Sequence, residues 1–177
     1  MTQPVEIVLS EDLYIVARDI AAARNYPKQA AGVRSKKWAP NRSEMEVDLI
    51  GACGEVAVAT YLRVEPDTFA SLHGDDGTDL ILPNGRTIQV KCRTRVGYDF
   101  ALPSADPKTF SADVGALVYI LGGSLRHLLF RGVISKRTFL VKYRIRDYGY
   151  GLRAFVSPSE MSHPSVLLDW LGRSIAK

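Results

Sequence analysis

Residues 74–93 of the chain read GDDGTDLILPNGRTIQVKCR, in which two short runs of strand-forming residues are joined by Pro-Asn-Gly. Pro83 suits the second position of a type I turn, Asn84 the third, and Gly85 the left-handed residue that closes a three-residue loop. A two-residue Asn-Gly loop is the competing turn. The segment is therefore predicted to be a β-hairpin, and the choice of loop decides which side chains share a face.

With the three-residue loop, the polar and the apolar residues of both strands lie on opposite faces of the hairpin. In that register Leu80 faces Ile88 and Asp79 faces Gln89, so Asp79, Gln89 and Lys91 lie on one face. The two-residue loop would mix polar and apolar residues on each face, because a slip of one residue turns every side chain over. The pattern favours the register that groups an acid, an amide and an amine. The opposite face is then entirely apolar and consists of Leu80, Leu82, Ile88, Val90 and Cys92.

A glutamate upstream completes this set. Glu55 lies in residues 51–62, GACGEVAVATYL, which are predicted to be helical. Together with Asp79 and the run Gln89-Val90-Lys91, it resembles the PD-(D/E)XK nuclease superfamily, in particular archaeal-type Holliday junction resolvases and Mrr-like restriction endonucleases. In these a helix supplies a glutamate before the acid hairpin. The chain departs from the usual pattern at Gln89, where aspartate or glutamate is usual, although Mrr-like members are similar in carrying glutamine there.

The resemblance implies a restriction-endonuclease-like α/β fold, with a central mixed sheet of four to five strands flanked by helices. It also implies hydrolysis of DNA that depends on Mg²⁺, with Mn²⁺ as a substitute. Asp79, Glu55, the Gln89 amide oxygen and the Val90 carbonyl are the expected metal ligands, since Mg²⁺ prefers hard oxygen ligands. Lys91 is expected to orient the attacking water or to offset charge on the phosphate.

Each of these residues also has a purely structural explanation. Asp79 would then be one of several turn-forming aspartates before a strand. Gln89 and Lys91 would lie on the solvent face of an edge strand. Glu55 would be a solvated helix charge, although the apolar residues around it leave little room for a polar face.

The rest of the chain is predicted to build one sheet and its covering helices. Ser10 is expected to cap a helix that ends near Asn25, and Ser43 with Glu46 forms a capping-box signature for a helix to about Leu62. Glycines within the second helix predict a close approach to the sheet. The remaining predicted elements are strands at 115–121, 126–134 and 153–156, a helical turn from Ser135 to Leu140, and a terminal helix at 164–175.

Length and composition predict one soluble domain over residues 1–177. With 177 residues, 46% of them hydrophobic, the chain can bury a core without disulfides or structural metal. Cys53 and Cys92 are interpreted as buried apolar residues in a reducing compartment. No leader and no apolar run of about 20 residues is evident, so we expect a cytoplasmic protein without a membrane partner.

Basic residues suggest where a polyanion would bind. The formal charge of +4 suits such a partner but is common among soluble proteins. Arg93 and Arg95 follow Lys91 and are predicted to contact DNA, as are Lys36 and Lys37 in a basic loop or arm at residues 26–42. A surface loop without a ligand is the alternative for that arm. The basic run at residues 142–146 is better explained as a solvated strand face.

The sequence thus predicts a metal-dependent DNA endonuclease, selective for branched or junction DNA or of a phage or restriction type. A homodimer is considered, because cutting both strands with one site per chain takes two chains. The rival hypothesis is a catalytically silent DNA-binding protein that keeps the nuclease fold, with Gln89 as the mark of decay. A nuclease acting on RNA is the third.

Overall fold

The computed structural model of the protein describes residues 3–30, 42–66, 77–149 and 151–171. It is a mixed α/β structure with two sheets. The main sheet has five strands, and helices pack on it. The strands are β1 (Val5–Val8), β2 (Leu80–Ile81), β3 (Thr87–Arg93), β4 (Phe100–Ala101), β5 (Val114–Ile120), β6 (His127–Ser135), β7 (Arg144–Asp147) and β8 (Leu152–Val156); the helices are α1 (Glu11–Ala30), α2 (Glu44–Leu62), α3 (Lys136–Lys142) and α4 (Ser165–Trp170).

The main sheet has the strand order β1-β6-β5-β3-β2. Only the pairing of β3 with β5 is parallel, so the predicted mixed sheet of four to five strands is confirmed. Strand β1 was not predicted. It has only four residues, and its pairing with β6 joins positions more than a hundred residues apart. Such a strand carries too little local pattern to be recognised from sequence.

Helices α1 and α2 cover one face of the main sheet. Ile20 of α1 and Ala57 of α2 share one apolar core with Val90 of β3 and Val118 of β5. Gly54 brings α2 into close contact with β3, since a Cβ added there would lie 2.7 Å from the Cβ of Cys92. The predicted close approach of helix and sheet is therefore confirmed at this glycine.

A second sheet, with the order β4-β8-β7, contributes to a separate core on the other face. Leu117 and Tyr119 of β5 point into this core, which is rich in phenylalanine. The prediction of a sandwich with one sheet was therefore wrong. Every residue of β5 is buried, and a strand buried on both faces needs a covering layer on each side. The missing layer includes β4, which is only two residues long.

The sequence signals predicted the starts of α1 and α2 correctly. They also predicted the end of α2, but not the end of α1. Ser43 and Glu46 form the predicted capping box, and α2 ends at Leu62. Helix α1 begins after Ser10 but continues to Ala30 rather than ending near Asn25. Contacts of Arg24 and Asn25 with α2 hold this last part of α1 against its neighbour, and such tertiary contacts outweigh the local signal of Pro27.

The later elements match the prediction closely. Strands β5, β6 and β8 each lie within one residue of their predicted bounds, and Ser135 caps α3. Helix α4 spans six residues, and residues 172–175 of the predicted terminal helix lie outside the described part. Within the described residues, none of the helices has the length and apolar character needed to cross a membrane.

Candidate active site

The hairpin has the three-residue loop and the register that the sequence favoured. Leu80 pairs with Ile88 and Ile81 with Thr87. The Leu82 N–H donates to the Arg86 carbonyl at 2.8 Å, and the Gly85 N–H donates to the Leu82 carbonyl at 2.8 Å. Gly85 has φ 79°, the left-handed conformation that this loop requires. The register on which the site prediction depends is therefore confirmed.

Asp79 lies where β2 leaves the regular ladder. Its N–H donates to the Ile88 carbonyl at 2.8 Å, and its Oδ2 accepts the Val90 N–H at 2.6 Å. These two bonds place Asp79 beside Gln89, as predicted. The side chain is 7% exposed, so this is a buried carboxylate held against the edge of β3 rather than a turn aspartate in solvent.

Gln89 is also buried, with 6% of its surface exposed. Among the described residues, its Oε1 atom is buried without a hydrogen-bond partner. Gly77 lies against both the amide and Ser111: a Cβ added at Gly77 would lie 2.9 Å from Gln89 Nε2 and 2.6 Å from Ser111 Oγ. A buried amide oxygen without a partner costs free energy, and it is a suitable oxygen ligand for a cation.

Lys91 lies on the same face of β3 as Gln89. Val90 belongs to the core beneath α2, and Cys92 packs against that core. Because side chains alternate along a strand, Gln89, Lys91 and Arg93 point to the opposite face. Lys91 is partly buried. The Val90 N–H points towards Asp79, and the carbonyl of a strand residue points to the same edge as its N–H.

Glu55 lies on the α2 side of β3 and is 4% exposed. Its two oxygens accept from Nη1 and Nη2 of Arg24, both at 2.7 Å. The interpretation as a solvated helix charge is therefore wrong. The structure brings Asp79 and Gln89 together along β3, whereas the hydrogen bonds that Glu55 accepts from Arg24 join it to α1. A metal bound at Glu55 would share the carboxylate oxygens with Arg24.

Sequence reasoning missed Arg24 as the partner of Glu55. A signal was present, because Arg24 follows Ile20 by four residues and continues the buried stripe of α1. Asp48, which lies two helical turns before Glu55, accepts from Asn25 Nδ2 at 3.3 Å. The pairing of α1 with α2 therefore includes polar contacts from two successive residues of α1.

The residues predicted to contact DNA have different surroundings. Arg93 is partly buried, and its Nη2 donates to the Ala101 carbonyl at 3.2 Å. Arg95 is exposed. Lys36 and Lys37 lie outside the described residues. Arg144 and Arg146 in the basic run pair with Glu160 and Asp99, which agrees with the solvated strand face expected there.

Few of the side chains that could bind a metal ion at the candidate site are charged. Within the ranges that the structure describes, His, Cys, Asp and Glu side chains form no group of three or more that could hold a metal ion. Mg²⁺, however, is often bound by one or two carboxylates together with water and phosphate oxygens. Asp79 and Gln89 supply oxygen atoms of the kind that such a site uses.

Burial raises the pKa of the Cys53 and Cys92 thiols from the ordinary value of 9.0 to about 12. The folded protein therefore retains protons that the unfolded chain loses near pH 9. We expect stability to be complete below pH 9 and to fall as the pH rises towards 12, by roughly 1 kcal/mol per pH unit from Cys53. Urea unfolding at pH 8 and pH 10 measures this loss, and Cys53→Ala should reduce it. Equal urea midpoints for the wild type at both pH values would contradict the prediction.

Comparison of the chain with protein-family models, with curated proteins and with solved structures returned no match.

Proposed function

We propose that the chain is a metal-dependent DNA endonuclease of the PD-(D/E)XK type with a restriction-endonuclease-like fold. One observation carries the proposal: the buried Asp79 carboxylate accepts the Val90 N–H at 2.6 Å beside Gln89. The Gln89 Oε1 atom has no partner among the described residues. Lys91 follows on the same face, so an acid, an amide oxygen and an amine occur in the order that the resemblance requires.

Asp79, the Gln89 amide oxygen and the Val90 carbonyl would hold the metal. When bound, Mg²⁺ polarises the phosphate and lowers the pKa of a coordinated water. The bond from the Val90 N–H fixes the orientation of the Asp79 carboxylate before any ligand arrives.

Lys91 supplies the positive charge of the proposed site. Lys91 is partly buried, and its ammonium group can stabilise negative charge that develops on the phosphate. Arg24 and Glu55 act on the other side of β3, where their ion pair holds α1 on α2. The chain would cut duplex DNA as two copies, since each contributes one such site.

The rival function is a catalytically silent DNA-binding protein with the same fold. The observation that favours it is the low number of acids, because Gln89 replaces a charged ligand and the described residues contain no group of three potential metal-binding side chains of the His, Cys, Asp or Glu type. A cation would then be held weakly.

Cleavage assays separate the two functions. Linear duplex, single-stranded, flapped and four-way-junction DNA, and an RNA duplex, would be incubated with Mg²⁺, with Mn²⁺ or with a chelator. Cleavage of DNA that requires the metal supports the nuclease, and preference for the flap or junction supports structure selectivity. Binding without cleavage of any substrate would support the silent protein, and cleavage of RNA alone would support the third hypothesis.

We expect Gln89→Glu to shift the Mg²⁺ dependence of cleavage to lower concentrations. The substitution is nearly isosteric, and it replaces a dipole with a charged ligand beside Asp79. The measurement is a titration of cleavage rate against Mg²⁺. Gln3→Glu is a matched control, because Gln3 is exposed and far along the chain from β3. A titration curve for Gln89→Glu that is unchanged or displaced to higher Mg²⁺ would argue against a metal at this position.

A further inference from the structure

Residues 94–99, which we call the β3–β4 loop, expose two large side chains. Val96 is 60% exposed and Tyr98 is 49% exposed. Gly97 lies between them and has φ 91°, the left-handed conformation that glycine adopts readily. Exposed apolar residues that are scattered singly are normal on a protein surface. Here two of them, one aromatic, share a short loop at the end of the strand that carries Lys91.

The backbone of the β3–β4 loop is held in place by three side chains from other parts of the chain. The Tyr119 hydroxyl of β5 donates to the Tyr98 carbonyl at 2.8 Å. Asp99 Oδ2 accepts from the Tyr148 hydroxyl at 2.6 Å and from Arg146 Nη1 at 3.0 Å. Tyr98 is therefore presented to solvent from an anchored backbone. Less conformational entropy is then lost when a ligand binds to its ring.

The β3–β4 loop borders the candidate active-site face. Tyr119 pairs in register with Arg93, and Leu117 pairs with Lys91. Directly paired residues of neighbouring strands point to the same face of a sheet, so Tyr119 points to the face that carries Lys91. Arg93 lies two strand positions beyond Lys91, which is about 6.6 Å. Because the Tyr119 hydroxyl contacts the Tyr98 carbonyl, the Tyr98 backbone also lies on the Lys91 side of the main sheet.

The chain that leads to Tyr98 is basic. Three basic residues alternate with uncharged ones from β3 into the loop, namely Lys91, Arg93 and Arg95. Arg95 is exposed. Asp99 is the one acid in this stretch of sequence, and its carboxylate already accepts two hydrogen bonds. The loop thus combines an exposed aromatic ring with positive charge, as in proteins that bind single-stranded nucleic acid, where cations follow the phosphates and bases stack on aromatic rings.

A protein partner and paired DNA fit the loop less well. A specific protein interface buries about 800 Å² on each partner, which is far more than two side chains of a short loop supply. In a duplex both faces of each base are covered by the neighbouring bases, so a paired base has no free face for Tyr98. An unpaired base has a free face, and every base can stack because each has a π-face.

We propose that Tyr98 stacks on an unpaired base of the DNA strand next to the bond that is cut, while Arg95 binds the adjoining phosphate. This inference rests on the proposed nuclease function, and it names the substrate class: DNA with an unpaired nucleotide beside the cut, such as a flap or a single-stranded end. Stacking on an aromatic ring tolerates any base, so this contact selects DNA structure and not sequence.

The test measures binding of single-stranded DNA to the full chain in chelator, so that no strand is cut. Two labelled strands of about 12 nucleotides are compared, oligothymidine and a strand of the same length and charge without bases. We expect Tyr98→Ala to bind oligothymidine about tenfold more weakly than the wild type, the scale of one lost base stack. It should bind the abasic strand as the wild type does. Tyr98→Phe keeps the ring and should bind both strands as the wild type does.

Two further variants are controls. Tyr26→Ala is matched to Tyr98→Ala, because Tyr26 is also an exposed tyrosine, 75% exposed, and lies on α1 far along the chain from β3. It should bind both strands as the wild type does. Arg95→Met should weaken binding of the two strands alike and reduce the salt slope by about 0.7, the value for one phosphate contact on a single strand.

The abasic strand separates stacking from a structural role. Equal weakening of both strands in Tyr98→Ala would overturn the stacking site, because a loss that ignores the base reflects a disturbed loop. Unchanged oligothymidine binding in Tyr98→Ala would overturn it too, as would a wild type that binds neither strand. An unchanged salt slope in Arg95→Met would overturn the phosphate contact. If Tyr98→Ala does not fold, Tyr98→Leu decides, since it keeps apolar bulk and removes the ring.

The outcome is separable from that of the cleavage assay. A wild type that cuts DNA, while Tyr98→Ala keeps full affinity for oligothymidine, would overturn the stacking site and leave the nuclease function. A wild type that never cuts, but binds oligothymidine through Tyr98, would overturn the nuclease and leave a site for single-stranded DNA.

Discussion

Asp79→Asn is expected to lower the rate of Mg²⁺-dependent DNA cleavage by roughly 10²–10³-fold, the scale on which the loss of one group that stabilises transition-state charge acts. Asparagine keeps the shape of the side chain, and its oxygen can still accept the Val90 N–H. The negative charge is lost, and with it the chief metal ligand of the proposed site. Cleavage rates at saturating DNA, over a range of Mg²⁺ concentrations, measure the effect.

Asp113→Asn is the matched control for this variant. Asp113 Oδ2 accepts the Thr87 N–H at 2.9 Å and the Thr87 hydroxyl at 3.1 Å, so it also anchors β3 through a carboxylate, but at the start of the strand. Both variants should unfold in urea close to the wild-type midpoint, and only Asp79→Asn should lose cleavage. Equal losses of cleavage in the two variants would mean that Asp79 stabilises β3 and has no role in cleavage.

The second large effect concerns stability. Arg24→Met should reduce the free energy of unfolding by about 3–5 kcal/mol, because it removes the bidentate guanidinium from a buried carboxylate. Glu55 is 4% exposed, and both of its carboxylate oxygens accept from Arg24. Urea unfolding at neutral pH, followed by circular dichroism, measures the change.

The double variant Arg24→Met with Glu55→Gln is the control for this effect. It removes the buried negative charge as well as the guanidinium, so much of the lost stability should return. A double variant less stable than Arg24→Met alone would indicate that the cost comes from lost packing of the Arg24 side chain. Comparing the single and the double variant therefore separates the effect of charge on stability from the effect of side-chain volume at the contact between α1 and α2.

The hairpin and α2 could be predicted because their signals are local. Pro83, Asn84 and Gly85 specify a loop, and alternation along ten neighbouring positions specifies the register. Ser43 and Glu46 specify the start of α2 within one turn. The prediction of a site at Asp79, Gln89 and Lys91 uses the same local signals, since the residues that order them on one face lie within the hairpin.

The second sheet and the partner of Glu55 could not be predicted because they depend on distant residues. Strand β4 has two residues, and it is defined by pairing with β8 more than fifty positions later. The contact between Arg24 and Glu55 spans 31 positions and requires the helices to be packed before it exists. A hydrophobic pattern reports which face of an element is buried, but not which charged group crosses from a neighbour.

The contact between Gly54 and Cys92 has a consequence for how this chain can change during evolution. A Cβ at position 54 would lie 2.7 Å from the Cβ of Cys92, and no change of rotamer can separate two Cβ atoms. Any larger residue at position 54 would move α2 away from β3 and carry Glu55 with it. Acceptance of alanine at position 54 therefore depends on glycine at position 92, so related sequences should show these two positions changing together.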